Sequence, residues 1–348
     1  MKYNIVIDKR VLDNYYCSDY FDKSQKIAKT LNSNKEVTMQ WFQRGDNTTV
    51  AGLEYIYEIL RLANLQDKIK VESVSDGDVV NSMEPVLKIT GKYQEFVHFE
   101  GLFDGILARA TTVATNTRIV KKAAGNKVIL NMNDRGDYFL NQQLDGYASY
   151  VGGVESLVTP ASIEVVSEMI KKVNGTLPHS LIAFFDGDLI AALHEYKKQF
   201  PNNNLVALVD FNNDVIGDSL KVAKEFGKEL YAVRIDTSAA LVDKSLQELK
   251  EVENELHGVN PTQVKMLRKS LDDNGYSHVK IIVSSGFNLT KIKYFEENKT
   301  PVDIYGVGEF ILSNKINFTG DLVVVNGVEI SKVGRKNITN SKLKKIKL

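Results

Sequence analysis

From about residue 113 to residue 315 the sequence keeps returning to one pattern, a short run of apolar residues followed by a longer amphipathic stretch. The runs are "KVILNM", "LIAFF", "LVALVDF", "LYAVRID", "VKIIVSSG" and "VDIYGVG". A strand that faces water on one side alternates polar with apolar residues, so runs without alternation predict strands covered on both faces. The stretches between them, such as "DSLKVAKEFG" and "TQVKMLRKSLDDNG", carry apolar residues at helical spacing and close on a glycine suited to a helix C-terminus. Buried strands separated by helices predict a parallel sheet with helices outside it, either doubly wound or closed into a barrel.

The flanking segments follow other rules. In the first hundred residues a helical stretch, "AGLEYIYEILRLANLQ", is followed by short alternating segments, "KVESV" and "PVLKITGKY", with turn formers Gly77 and Asp78 between them. That combination predicts a small α+β unit. After residue 315 alternation returns in "LVVVNGVEISKVG", whose Asn326-Gly327 pair predicts a hairpin. The expected division is residues 1–112, with 316–348 packing back on them, and a separate α/β unit over 113–315. A chain of 348 residues is long enough for two such units.

Lys plus Arg and Asp plus Glu both number 44, which argues against a global field that would draw the chain to nucleic acid or an anionic membrane. The last segment, "SKVGRKNITNSKLKKIKL", is the exception, with seven basic residues and no acid, and is expected to be a solvated, frayed terminus. The lone Cys17 excludes an internal disulfide and a cysteine zinc site. Charges run through the first sixteen residues where a signal peptide needs an apolar core, so a cytoplasmic protein is expected.

Polar residues cluster where the apolar runs end: Arg135, Asp210, Arg234, Asp236 and Ser284. Binding groups gather at the carboxyl ends of parallel strands in barrels and open sheets alike. Two successive loops, "VSSGFN" and "YGVGEFI", offer Ser284, Ser285, Gly286, Gly306 and Gly308 for close backbone approach to a phosphate. Glu309 adds an opposing charge there. Asp210, Asp214 and Asp236 are candidate Mg²⁺ ligands, with an internal ion-pair network the competing role for Asp214. Arg234 is expected on the side of its strand opposite Asp236, facing a planar or anionic group. His98, His194, His257 and His278 sit in contexts that predict core or surface roles. His179, in "GTLPH", is expected in a loop feeding the strand "SLIAFF"; by its spacing alone, a lone histidine is usually structural.

These segments together resemble the nicotinate phosphoribosyltransferase family, a branch of the type II phosphoribosyltransferases. The resemblance rests on "SDYFDKS" (18–24), "GILARATTVATNT" (105–117), "NDRGDYFLNQQLDGYASYVGG" (133–153), "GTLPHSLIA" (175–183), "ALVDFNND" (207–214), "AVRIDTS" (232–238), "GVNPTQVKMLRKSLDDNGYSHVKIIVSSGF" (258–287) and "PVDIYGVG" (301–308), in family order. It implies an irregular, TIM-like α/β barrel with an N-terminal open-faced α+β sandwich completed by the C-terminal hairpin. It also implies a homodimer with active sites at the interface, acting on small molecules. The implied reaction condenses nicotinate with phosphoribosyl pyrophosphate to nicotinate mononucleotide and pyrophosphate, with Mg²⁺ and with ATP hydrolysed through a phosphohistidine at His179. By resemblance, Tyr20 and Arg135 flank the pyridine ring, Thr176 lies near it, and Arg234 meets the substrate. Asp210 and Asp236 serve the ribose or the magnesium pyrophosphate, and the two glycine loops take the 5′-phosphate.

Five residues depart from the family pattern. Ser285 replaces a usual Gly, Glu309 a small hydroxyl residue, and Ala110 a frequent basic residue, while Val158 and Pro160 stand where a Ser and an acid are common. They keep two alternatives open: transfer to another pyridine, nicotinamide or quinolinate, and a weakened paralogue that only binds nucleotide.

Overall fold

The computed structural model describes residues 3–31, 34–154, 156–249 and 256–348. In chain order its strands are β1 (Glu36–Gln43), β2 (Thr48–Thr49), β3 (Ile69–Ser73), β4 (Val79–Val80), β5 (Leu87–Lys92), β6 (Val128–Asn131), β7 (Ser156–Leu157), β8 (Leu205–Leu208), β9 (Leu230–Ile235), β10 (Lys280–Val283), β11 (Ile304–Val307), β12 (Phe318–Val325), β13 (Val328–Glu329) and β14 (Lys344–Ile346). The α-helices are α1 (Asp19–Thr30), α2 (Leu53–Leu62), α3 (Tyr93–Phe96), α4 (Glu100–Ala123), α5 (Gln142–Val151), α6 (Pro160–Glu164), α7 (His179–Phe184), α8 (Leu189–Gln199), α9 (Val215–Phe226), α10 (Pro261–Asp273), α11 (Leu289–Glu297) and α12 (Glu309–Leu312).

Strands from both ends of the chain build one antiparallel sheet, ordered β13-β12-β1-β5-β3-β14. Val37, Met39 and Trp41 alternate along β1 and are buried, and Trp41 meets Phe103 of α4 with ring centroids 5.8 Å apart. The β12–β13 turn has both Asn326 and Gly327 in the left-handed region, φ +49° and +79°, as a two-residue hairpin of this sequence requires. The strands flanking Gly77 do pair antiparallel, β3 with β5, although β4 intervenes and pairs with β2 instead.

The basic terminus is not frayed. Its strand β14 pairs with β3, and the preceding segment crosses the sheet, with Gln40 donating to the Lys336 carbonyl and accepting from the Ile338 N–H. Gln40 is fully buried, and its amide can be satisfied there only if this segment covers it.

The second sheet is parallel throughout, in the order β7-β6-β11-β10-β9-β8, and it curls without joining its ends. Val233, Ile235, Ile281 and Val283 pack outward into the large core under the helices, while Val206, Ala232 and Ile282 form a small cluster on the concave side. The run "SLIAFF" is not a strand of this sheet. Residues 179–184 are the short helix α7, with Phe184 exposed and Ile182 buried. An apolar run this short fits either periodicity, and here Pro178, extended at φ −86°, ψ 159°, caps a helix. Helices therefore occupy the gap between β7 and β8.

Helix α4, 24 residues long, ties the two sheets together, touching β12 at one end and β6, α11 and α12 at the other. Its partner α5 packs against α6 through Gly146, where a Cβ would fall 1.8 Å from the Ser162 carbonyl oxygen. Among the described residues no helix is long and apolar enough to cross a membrane.

The first turn of α4 carries strained charge. Burial, with Asp104 and Asp321 nearby, pushes the Glu100 carboxyl up to about 8, and burial with Asp321 pushes Asp104 up to about 6. A carboxyl raised in the folded state contributes stability that is present below its unfolded pKa and lost as pH rises through the folded one. Glu100→Gln is expected to raise the melting temperature at pH 9 and leave it nearly unchanged at pH 4. Equal shifts at both pH values in a thermal scan would contradict this.

Candidate active site

The site is organised by one buried cation. Arg234 is the penultimate residue of β9 and only 8% exposed. Its Nε donates to Ser284 Oγ at 3.0 Å, Nη1 to Thr176 Oγ1 at 2.9 Å and Nη2 to Asp236 Oδ2 at 3.1 Å. Ser284 Oγ lies 2.7 Å from Asp236 Oδ1, and Ser284 N donates to the Ile235 carbonyl. Arg234 and Asp236 thus face the same way, not opposite ways. Successive side chains alternate across a strand, so residues two apart share a face.

A cavity of about 660 Å³ opens above this cluster, at the carboxyl ends of β6, β9, β10 and β11. Arg135, Ser285, Gly286, Gly306, Gly308 and Glu309 all contribute to its wall. The two glycines of the second loop have a packing reason as well. A Cβ at Gly306 would lie 2.8 Å from Met132 Sδ, and one at Gly308 would lie 2.8 Å from the Met132 carbonyl oxygen. Ser285 adopts φ +76°, a left-handed conformation that glycine takes freely and serine does not.

Beside the cavity, His179 Nε2 lies 3.1 Å from both carboxylate oxygens of Asp210. His179 is the first residue of α7, with its side chain 42% exposed, while the Asp210 side chain is 7% exposed. Burial raises the Asp210 carboxyl above its usual range, His179 opposes that rise, and the charge of Asp236 adds to it. Thr176, three residues before His179, is the direct link from this loop to Arg234.

Two carboxylates at neighbouring strand ends, Asp210 and Asp236, retain lone pairs beyond their bonds to His179, Arg234 and Ser284. Two such oxygen donors could supply part of the coordination of a hard cation such as Mg²⁺. Among the described residues no group of three or more His, Cys, Asp and Glu is gathered to hold a metal unaided. Asp214 takes a different role, capping α9 by accepting from Gly217 N and pairing with Lys244.

Tyr20 is not part of the cluster. It is 63% exposed on α1, and its ring packs on Phe21. The remaining histidines serve local contacts: His98 with Gln25, His194 with Glu225, His257 with the Ala239 carbonyl and His278 with the Gly227 carbonyl. A second cavity, about 530 Å³, extends toward the other ends of the strands, walled by aliphatic side chains such as Val206, Ile282 and Ile304 and by polar residues that include Lys121, Asn174 and Thr176.

Two residues that the sequence pattern does not single out belong to the site's support. Arg109 forks onto Asp145, with Nε and Nη2 each 2.7 Å from a carboxylate oxygen, and its Nη1 donates to Asp137, which anchors the turn that carries Arg135. The basic group thus enters one position before Ala110. Lys291, in the first turn of α11, donates to the Ser285 carbonyl at 3.0 Å.

Residues 24–111 match the family described as quinolinate phosphoribosyl transferase, N-terminal domain. Among solved structures, the chain is similar to nicotinate-nucleotide pyrophosphorylase from Pyrococcus furiosus, at 26% identity over 97% of this chain and 82% of that one, with a TM-score of 0.81. Human nicotinic acid phosphoribosyltransferase aligns at 18% identity over 90% of this chain and 76% of that one, with a TM-score of 0.69. Nicotinate-nucleotide pyrophosphorylase from Ehrlichia chaffeensis aligns at 16% identity over 91% of this chain and 99% of that one, with a TM-score of 0.63. The architecture is that of the type II phosphoribosyltransferases.

Because His179 lowers the titration of Asp210, His179→Ala is expected to move the Asp210 carboxyl to still higher pH. Carbon-detected NMR titration of the side-chain carboxyl checks this, and an unchanged or lower midpoint would refute the coupling.

Proposed function

We infer that the chain is a phosphoribosyltransferase of NAD biosynthesis, and propose nicotinate as its base and ATP as the source of drive. The observation that carries the proposal is the His179–Asp210 pair beside the cavity. In a neutral imidazole the proton shared with Asp210 sits on Nε2, which leaves the Nδ1 lone pair as a nucleophile. In this reading Nδ1 attacks the γ-phosphorus of ATP; an N–P bond forms, the bond to the β-phosphate oxygen breaks, and ADP leaves. A phosphorylated His179 adds negative charge and acceptor oxygens beside Asp210, and later hydrolysis returns the free ring and phosphate.

The transfer itself forms a bond from the pyridine nitrogen to ribose C1 as the bond from C1 to the pyrophosphate oxygen breaks. Positive charge grows on the sugar and negative charge on the leaving group. In this reading Asp236, held by Arg234 and Ser284, stabilises the sugar, and Arg135, in the wall of the cavity, orients the base carboxylate. Mg²⁺, when bound with the substrate, would neutralise pyrophosphate charge, with Asp210 and Asp236 as its protein ligands. Tyr20, exposed on α1, would serve the site of a second copy, which makes a homodimer part of the proposal.

Quinolinate is the second reading, favoured by the match of residues 24–111. Its two carboxylates call for more cationic groups, whereas Arg135 and Arg234 are the basic residues in the wall of the cavity among those described.

Incubation with phosphoribosyl pyrophosphate, Mg²⁺ and each base, with and without ATP, separates these readings. Nicotinate mononucleotide and pyrophosphate are expected from nicotinate, faster with ATP. His179→Ala should lose the ATP stimulation while keeping a slow basal turnover. Preferred turnover of quinolinate, or full ATP stimulation in the variant, would overturn the proposal.

A further inference from the structure

The loop over residues 284–288 pairs an unfavourable backbone conformation with a contact that holds it. Ser285 and Gly286 are both left-handed, at φ +76° and +67°. Glycine accepts this freely, but serine is held there against its preference. The Ser285 carbonyl is tied down by Lys291 Nζ at 3.0 Å. Lys291 is itself fixed at both ends. Its backbone N–H donates to the Asn288 side chain at the start of α11, and its ammonium lies 4.5 Å from the centroid of the buried Phe287 ring, which packs on Phe295 and Tyr305.

The direction of one peptide unit follows from this tether. In a trans peptide the carbonyl and the next N–H point opposite ways, and this chain has no cis bond among the described residues. With the Ser285 oxygen drawn toward Lys291, the Gly286 N–H points away from it. Among the described residues, the N–H groups of Ser285, Gly286 and Phe287 have no acceptor, and all three residues line the cavity. Adjacent unpaired donors of this kind form a hollow that accepts an anion. Burial pushes Lys291 down to about 8, and the charge of Asp236 opposes that shift. An anion in the hollow would supply the counter-charge.

We propose that Lys291 is a positioning residue for the 5′-phosphate of the substrate, holding the Ser285–Gly286 peptide so that its N–H groups face the phosphate and replacing the freedom that a glycine at 285 would give. The inference rests on the phosphoribosyltransferase reading and adds to it a residue outside the wall of the cavity. It also accounts for a serine at this position: the tether compensates for the backbone preference that serine lacks.

Calorimetric titration with ribose 5-phosphate tests the inference without requiring turnover. Lys291→Met is expected to weaken binding about tenfold, the effect of losing one charge-assisted hydrogen bond. Ser285→Gly combined with Lys291→Met should recover part of that loss, because glycine takes the left-handed conformation without strain and so needs no tether to reach it. Lys291→Gln, which retains a donor but no charge, should fall between wild type and Lys291→Met, and covers the case in which the methionine variant does not fold. The Michaelis constant for the base should not move. If the wild type fails to bind ribose 5-phosphate, the phosphoribosyltransferase reading falls and the inference with it. If the wild type binds and Lys291→Met and Lys291→Gln bind equally well, the inference alone falls. A loss that Ser285→Gly leaves unrestored would also overturn the positioning role.

Discussion

A guanidinium cannot lose its water cheaply, and Arg234 is nearly without water. Leaving such a cation buried with its partners removed costs about 3–5 kcal/mol. Its three bonds reach Thr176 on the segment before α7, Ser284 after β10 and Asp236 after β9, so one charge pins three otherwise separate segments. Thr176, Ser284 and Asp236 are fixed relative to one another by that fork. The fork is planar, and a lysine in its place could not reproduce the three directions at once.

The fork stands on a framework that is apolar on its outer face. Val233 and Ile235, flanking Arg234 in β9, point into the core beneath the helices, which leaves the concave face free for Arg234 and Asp236. The antiparallel sheet contributes through α4, whose length lets a single rigid body touch β12 at one end and α12, beside the second glycine loop, at the other. The turn carrying Arg135 is secured from the same helix by Arg109. Two sheets with separate cores therefore share one ruler.

What could be read from the sequence follows from what is local. Five parallel strands, β6 and β8 to β11, coincide with the apolar runs, and the polar residues that end them lie close together, because a parallel arrangement brings like ends together. The helix α7 was not legible. Six residues, four of them apolar, satisfy strand and helix alike, and the decision rests on packing against neighbours distant in sequence. The covering of β1 by the terminal segment was hidden for the same reason, since it depends on Gln40 meeting residues 336 and 338. Arg109 and Lys291 were missed because their roles lie in backbone and carboxylate partners brought near only by folding. Ser285 could be flagged as a departure, but the contact that relieves it could not be seen.

The unjoined ends of the parallel sheet give the site two mechanical characters. Arg234, Asp236 and Ser284 belong to adjacent paired strands or their immediate continuations, where displacement of one drags the ladder with it. His179 stands across the break, on a six-residue helix, and meets the sheet through the carboxylate of Asp210. A change in charge on the imidazole is therefore felt first by a seam and last by the hydrogen-bonded lattice. The chain has an anvil on one side of its cavity and a latch on the other.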